Sequence, residues 1–347
     1  MLSDQVLVAL IGLGGGVLLG LAARIGRFCT LGAIEDFFYQ NDDTRLRMWG
    51  VAISVSILGS FALIGTGLLP VEKTLYLGAV WHPLGSVIGG LMFGYGMALA
   101  GNCGYGALAR LGGGDLRSFV IVVVMGLAAY VTLSGPLAAL RVWLFPPIAA
   151  SNPQGFGHFL GESLGVSPVA VGTFIGIILL VESLRPTNFR RKFAAVAWAA
   201  VVGLAVVSGW AGTAWVADIG FDAVPVGSHT FAAPVGEAML YAMTSSGNSL
   251  SFGIGSVGGV LAGAFIGSLI KGHFRWEACD DPRELRRQIL GAALMGVGAV
   301  LAAGCTIGQG VSAFSLLAFS APVTFGAILL GAWFGLRQLI EGFAPSV

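Results

Sequence analysis

Charged residues are scarce in this chain. Asp, Glu, Lys and Arg make up only 10% of its 347 residues, whereas a soluble domain carries about 25%. A surface this poor in charge cannot face water, so a soluble globular protein is excluded and lipid is the expected solvent. The formal net charge of +1 also leaves no excess of basic residues for binding nucleic acid.

Cysteine is scarce as well. The four cysteines, Cys29, Cys103, Cys279 and Cys305, are too few and too widely spaced for a disulfide framework or a standard zinc site. The sequence also lacks a P-loop, a dinucleotide fingerprint and a recognisable catalytic triad. We therefore expect neither an enzyme nor a bound metal or cofactor. Cys279, which lies in a polar stretch, is expected to be incidental.

Apolar residues dominate instead, at 56% of the chain. A transmembrane helix needs about 20 mostly apolar residues, and runs of that kind recur along the whole sequence. They predict an all-α polytopic membrane protein of about nine transmembrane helices. The predicted spans are 5–26, 46–69, 84–101, 118–145, 167–184, 193–217, 252–271, 286–303 and 321–341.

Basic residues lie in alternate connections between these spans. The second, fourth, sixth and eighth connections hold only Lys73, and Arg141 inside the fourth span is the other exception. Because cytoplasmic loops are enriched in Lys and Arg, this pattern predicts a bacterial inner-membrane protein with a periplasmic N-terminus and a cytoplasmic C-terminus. The basic residues of the remaining connections are Arg24, Arg27, Arg45, Arg47, Arg110, Arg117, Arg185, Arg190, Arg191, Lys192, Lys271, Arg275, Arg283, Arg286 and Arg287.

Three connections are too apolar to be ordinary loops. They are 28–39, 104–114 and 306–320, each rich in Gly and too short to cross a membrane. Irregular backbone at membrane depth persists only where protein buries it or where it lines a cavity. These segments therefore predict re-entrant half-helices.

Two stretches, 90–106 and 292–308, resemble each other. The copies follow the third and the eighth span, so they should run in opposite directions, as in the inverted repeats of transporters. We predict one membrane transport domain over 1–347, with repeat halves of about 1–145 and 193–347. The matched positions are Gly94 and Gly296, Gly96 and Gly298, Leu99 and Leu301, Ala100 and Ala302, Cys103 and Cys305, and Gly106 and Gly308.

Three cysteines share one pattern, a cysteine followed three positions later by glycine. Each cysteine lies where a span meets a re-entrant segment, and a helix N-terminus at such a junction suits an anion. A thiol is a weak, soft hydrogen-bond donor, and several weak sites in series suit transport. The candidate substrate-binding residues are Cys29, Cys103, Cys305, Gly32, Gly104, Gly106, Gly308 and Asn102.

The residues themselves leave alternatives open. A buried cysteine often acts only as a small apolar side chain, and a thiolate would repel an anion, so an anion path requires protonated thiols. Apolar surroundings favour that form, whereas a helix N-terminus opposes it. Arg24 and Arg27 either attract an anion or only set topology, and Glu35 and Asp36 act either in proton coupling or as capping groups. The four histidines are expected near the membrane interface.

In these motifs the sequence resembles the YeeE/YedE family of sulfur transport proteins. The resemblance rests on residues 26–36, 100–106 and 303–310, and with the hydropathy pattern it covers essentially the whole chain. It implies thiosulfate uptake through nine spans and several re-entrant helices, along a path marked by Cys29, Cys103 and Cys305. It also implies a small cytoplasmic sulfur-carrier protein of the TusA type as a partner.

We therefore expect a transporter for a small sulfur-containing anion, most simply thiosulfate. The ion would pass between protonated cysteines by transient S–H···S contacts, without covalent chemistry. Two alternatives remain. One is a membrane thiol–disulfide relay, which the absence of any Cys-x-x-Cys pair disfavours; the other is a carrier or channel for a selenium compound or another sulfur species.

Overall fold

A computed structural model describes residues 3–278 and 281–342, so Cys279 lies outside the described residues. Within these ranges every regular element is helical. The elements are α1 (Asp4–Arg24), α2 (Thr30–Tyr39), α3 (Thr44–Gly65), a 3₁₀ turn (Val71–Lys73), α4 (Leu75–Gly78), α5 (Pro83–Ala100), α6 (Gly104–Gly112), α7 (Leu116–Leu133), α8 (Ala138–Leu144), α9 (Phe156–Leu164), α10 (Pro168–Leu184), α11 (Thr187–Arg190), α12 (Phe193–Ile219), α13 (Ala233–Thr244), α14 (Phe252–Ile270), α15 (Pro282–Leu301), a π-helical turn (Gly308–Ala313) and α16 (Ser320–Glu341).

The helices confirm an all-α polytopic membrane protein. Among the described residues, 7 helical stretches are long and apolar enough to cross a membrane, or 8 if α9 and α10 count as one bent span. α15 corresponds to the predicted span 286–303 but begins with a charged turn, and it is not among these stretches. Nine crossings therefore remain a prediction.

One predicted span is divided in the structure, and another is preceded by a short helix that the hydropathy did not predict. The span 118–145 divides into α7 and α8, because the Gly135-Pro136 pair interrupts the helix. α9 and α10 meet at an angle of 118°. The backbone reverses there through Gly165, whose φ is +66°, and α10 then starts on Pro168.

The two repeat copies pack against each other through glycines. A Cβ added to Gly96 would lie 2.5 Å from the carbonyl oxygen of Gly291, and one added to Gly298 would lie 2.6 Å from that of Gly89. The alignment that matches Cys103 with Cys305 also carries Gly96 onto Gly298 and Gly89 onto Gly291. The two contacts therefore exchange under the repeat, as expected when two copies pack antiparallel about a two-fold axis.

Other helix contacts also occur in matched pairs. α1 packs on α14, and the corresponding helix of the second half, α12, packs on α3. α5 packs on α16 while α15 packs on α7, and the short helices α2 and α13 pack on α3 and α14. α10 packs on α3 and has no such counterpart. The contacts thus occur in the order that the repeat predicts, and the two inverted halves stay a prediction.

One expectation about the histidines is wrong. His229 does not lie at an interface but is 0% exposed, with its Nδ1 2.6 Å from the hydroxyl oxygen of Ser256. Gly15 of α1 leaves the space that the imidazole ring occupies, since a Cβ there would collide with Nε2. The connection from α12 to α13 therefore enters the bundle instead of crossing its surface.

Candidate functional site

A cavity of about 680 Å³ opens at one end of the bundle. The C-terminal residues of α1 and α14 reach it, and α2 and α6 contribute to its walls. Basic side chains from three predicted connections meet there, including both Arg24 and Arg27. We call this cavity the basic basin; its charged lining residues are Arg24, Arg27, Arg45, Arg110, Lys271, Arg275, Glu35 and Glu277.

The basic basin carries an excess of positive charge, since basic side chains outnumber acidic ones along its lining. Arg275 forms an ion pair with Glu277 at 3.2 Å. Arg110 and Lys271, by contrast, have no ion pair within the part of the chain that the structure describes. A cleft lined by unpaired charges of one sign raises the local concentration of the opposite ion, so the basin attracts anions.

The two acidic residues of α2 have different surroundings. Asp36 forms an ion pair with Arg45, with 3.1 Å between Oδ2 and Nε, which ties α2 to α3. Glu35 lines the basin and makes no such pair among the described residues. Burial raises the pKa of Glu35, while Arg110 and Arg45 oppose this shift. Glu35 is therefore the acidic group whose protonation state can affect an anion in the basin.

Four of the predicted site residues line the basic basin: Cys29, Gly32, Asn102 and Gly106. Cys29 is partly exposed and stands at the N-cap of α2, where its side chain makes no capping hydrogen bond. The thiol is thus free to contact an ion in the cavity. A Cβ on Gly32 would collide with the guanidinium of Arg45, so that glycine keeps the wall open.

Cys103 lies just beyond the basin and is 0% exposed. It occupies the break between α5 and α6, which together form one apolar stretch, Pro83–Gly112. Its sulfur accepts a hydrogen bond from the backbone N–H of Gly106 at 3.3 Å. Cys103 interacts electrostatically with both Cys29 and Cys305, so the three thiols lie near one another.

Cys305 is also 0% exposed and receives backbone hydrogen bonds. Its sulfur accepts the N–H of Phe231 at 3.3 Å and that of Gly308 at 3.5 Å, and the hydroxyl of Thr230 lies 3.7 Å away. The two N–H groups occupy acceptor positions of the sulfur, and the S–H group can donate to Thr230 or to another acceptor. The three cysteines are free thiols.

A smaller cavity of about 150 Å³ lies at the opposite end of α5. We call it the opposite vestibule; Tyr76, His82, Arg141 and Ala303 are among its lining residues. Since α5 begins beside this vestibule and ends beside the basin, the two cavities approach the cysteines from opposite ends. The vestibule stops at Ala303, two positions before Cys305.

Two glycines of the cysteine motifs lie close to neighbouring side chains. A Cβ on Gly308 would lie 2.7 Å from the Thr230 hydroxyl oxygen and 3.1 Å from the Tyr76 hydroxyl oxygen. One on Gly104 would lie 2.7 Å from the sulfur of Met125. A side chain at either position would force a neighbour to shift: the Thr230 side chain at Gly308 and the flexible end of Met125 at Gly104. The predicted site residues are therefore adjacent, though only some of them line an open cavity.

The sequence did not single out several groups at this site. Tyr76 lies between the opposite vestibule and Gly308, and Thr306, next to Cys305, faces Cys103 from the other half. The Cys-Thr pairs at 29–30 and 305–306 were a visible signal, but the hydroxyls had no evident role without their three-dimensional neighbours. Tyr76 gave no signal, because an aromatic residue in a connection is common.

Comparison with known proteins finds relatives along nearly the whole chain. The family described as sulphur transport matches residues 25–334, a range that contains all three site cysteines. The thiosulfate transporter TsuA of Escherichia coli is 28% identical over 351 residues, covering 93% of this chain and 92% of that protein. The thiosulfate transporter TsuA of Spirochaeta thermophila is 26% identical over 338 residues, covering 93% and 96% respectively.

Proposed function

Because the chain belongs to the sulphur transport family, we propose that it takes up thiosulfate across the inner membrane of a bacterium. Family membership makes it a membrane transport protein and not an enzyme. Thiosulfate is the proposed substrate because two relatives of nearly full-length similarity bear that name. The thiol–disulfide relay loses its support, since it would be an enzymatic function.

The position of the three thiols supports the proposal. Cys103 has both Cys29 and Cys305 as electrostatic neighbours, and the basic basin and the opposite vestibule lie at opposite ends of α5, on either side of this region. Thiosulfate carries a soft terminal sulfur, which is a suitable acceptor for a soft S–H donor. We infer that the three thiols are protonated during transport, because thiolates would repel the ion. The ion then passes between them by transient S–H···S contacts, and no covalent bond forms.

The backbone around the thiols supports this mechanism. N–H groups donate to the sulfurs of Cys103 and Cys305, so each S–H group is directed away from those donors. A desolvated anion needs replacement for its lost water contacts, and sites that bind weakly in series supply it without trapping the ion. The positive basin then lowers the cost of holding the anion at one end.

The basic basin is proposed to face the cytoplasm. Its Lys and Arg residues belong to the connections that the positive-inside rule assigns to that side. This orientation leaves the N-terminus periplasmic and the C-terminus cytoplasmic. A TusA-like sulfur-carrier protein would then meet the ion at the basin, and the unpaired Arg110 and Lys271 suit an acidic surface on such a partner.

Growth of a sulfate-uptake-deficient bacterium with thiosulfate as the sole sulfur source tests the substrate. Cells expressing the chain are expected to grow, whereas cells carrying an empty vector are not, because no other route supplies sulfur. Uptake of radiolabelled thiosulfate into proteoliposomes containing the purified chain would show that no other protein is needed.

Three results would contradict this proposal. Failure to grow despite normal membrane insertion would exclude thiosulfate uptake. Uptake of a selenium compound without uptake of thiosulfate would favour the selenium alternative. Redox-dependent pairing of the three cysteines, detected by alkylation and mass spectrometry, would favour the relay, since a carrier keeps free thiols throughout its cycle.

The Glu35→Gln variant should bind thiosulfate more tightly at neutral pH. The pKa of Glu35 is raised by burial, so the wild-type carboxylate is charged only above that raised value and then repels the ion. Gln removes this repulsion at every pH. We expect a roughly fivefold lower KM at pH 7.5, equivalent to about 1 kcal/mol, and a weaker dependence of KM on pH between 5 and 8.

Glu341→Gln is the matched control for this prediction. Glu341 is exposed, lies outside the basin and pairs with Arg337 at 2.8 Å. Its substitution should leave the KM for thiosulfate and its pH dependence unchanged. An unchanged pH profile in the Glu35→Gln variant would show that Glu35 does not influence the ion.

A further inference from the structure

Thr306 has a buried hydroxyl whose polar neighbour is the thiol of Cys103. It is 0% exposed and follows Cys305 directly. Its Oγ1 faces the sulfur of Cys103 in the other repeat half, yet it makes no regular hydrogen bond within the described residues. A buried polar group without a partner destabilises a protein by about 1–3 kcal/mol, so such a group calls for a ligand.

Asn102, which directly precedes Cys103, supplies a second group of this kind. It is 2% exposed and lines the basic basin. Its Nδ2 amide, which can donate two hydrogen bonds, has no partner among the residues that the structure describes. Cys103 therefore has one such donor on the neighbouring residue of the chain and another on Thr306, a residue distant in sequence.

The donors around Cys103 differ in chemical character. The thiol is a soft donor, whereas hydroxyl and amide groups are hard donors that bind oxygen. Thiosulfate combines one soft sulfur with three oxygens on a single small ion. An all-thiol path would address only its sulfur end and would leave the oxygens without replacement for their lost water contacts, which is costly for an anion in a buried site.

We propose that Thr306 Oγ1 and Asn102 Nδ2 are oxyanion donors that form, with the Cys103 thiol, one two-ended binding site at the interface of the repeat halves. This inference rests on the proposed function and deepens it. The sulfur of the ion contacts the thiol while its oxygens accept hydrogen bonds from the hydroxyl and the amide. The site then selects ions that carry both soft and hard acceptors.

The Thr306→Val variant tests the hydroxyl. Valine keeps the shape of threonine but cannot donate a hydrogen bond. Replacing an orphaned hydroxyl by an apolar group of the same shape is neutral or stabilising, so the melting temperature should stay equal or rise. The KM for thiosulfate in proteoliposomes should nevertheless rise about tenfold, as expected when one hydrogen bond to an ion is lost.

Two further variants separate the hydroxyl from its surroundings. Thr306→Ser keeps the hydroxyl and should restore a near wild-type KM, whereas a packing role would make serine the worse substitution. Thr324→Val is the matched control, because Thr324 is also 0% exposed, with an Oγ1 that has no partner within the described residues, but lies on α16, outside the three cysteine motifs of the sequence. It should leave the KM unchanged.

The outcomes distinguish this inference from the proposed function. A wild-type protein that takes up no thiosulfate contradicts the function itself. A wild-type protein that transports normally, with an equally active Thr306→Val variant, overturns only the oxyanion site. A rise in KM for Thr306→Val together with an equal rise for Thr306→Ser assigns the residue to packing and also overturns it.

Discussion

Thiosulfate uptake should fall to background when Cys103 is replaced by alanine. Cys103 is the middle thiol of the proposed path and is completely buried. Its replacement by alanine would leave an apolar stretch of that path, which a desolvated anion would have to cross. A hydrogen bond to a charged group contributes about 1.5–3 kcal/mol, which corresponds to a roughly 10- to 100-fold lower kcat/KM. Radiolabelled thiosulfate uptake into proteoliposomes measures this effect.

The interpretation requires that the variant still folds. The Cys103 sulfur also caps α6 by accepting the N–H of Gly106, and losing a cap destabilises a helix by about 1 kcal/mol. Cys103→Ser keeps a capping oxygen and should recover the melting temperature, while uptake stays low because the donor is now hard. Normal uptake by the alanine variant would remove the thiols from the mechanism.

Cys279→Ala is the matched control for the thiol itself. The sequence places Cys279 in a polar stretch, outside the three recurring motifs. The same substitution at this position should leave uptake at the wild-type level. An equal loss in both variants would indicate a general sensitivity to cysteine removal and would contradict a path through Cys103.

Substitution of Gly255 by leucine should prevent the protein from folding. α1 and α14 are in direct backbone contact, and a Cβ on Gly255 would collide with the carbonyl oxygen of Ala9. Backbone atoms cannot rotate away as a side chain can, so the helices would have to separate. Overpacking of a tight core costs about 1–3 kcal/mol or more, and here it also disrupts the wall of the basic basin.

Gly258→Leu provides a control on the same helix. No heavy atom outside the local helix lies within 4 Å of a Cβ at Gly258, so this side chain would extend into free space. We expect a normal yield of monodisperse protein in detergent for Gly258→Leu and aggregation or a strongly lowered melting temperature for Gly255→Leu. Equal behaviour of the two variants would contradict the close packing of α1 on α14.

The predictions for Cys103 and Gly255 rest on features that the sequence revealed to different degrees. The cysteine motifs were recognisable because cysteine is rare in this chain and glycine recurs three positions after each one. On α14 a glycine recurs every four positions from Gly255 to Gly267, a spacing typical of a packing face. That pattern does not reveal the partner, because nothing in it states which distant helix, here α1, packs there.

Several features needed the folded chain. Hydropathy predicted the helices well, yet it did not predict the 118° bend between α9 and α10 or the burial of His229. Hydropathy averaged over about 20 residues shows whether a segment prefers lipid. It carries no information on the direction in which one helix follows another. The bend depends on a single left-handed residue, Gly165, and His229 on the space that Gly15 leaves.

The sequence by itself determined the solvent, the helical class, the repeat and the three thiols, because each depends on composition or on spacing along the chain. Only the tertiary structure decided that Arg24, Arg110 and Lys271 share one basin and that Thr306 faces Cys103. These groups lie far apart in sequence and meet only when the helices that carry them pack together. Proximity of that kind is a property of packing, which no local pattern of residues encodes.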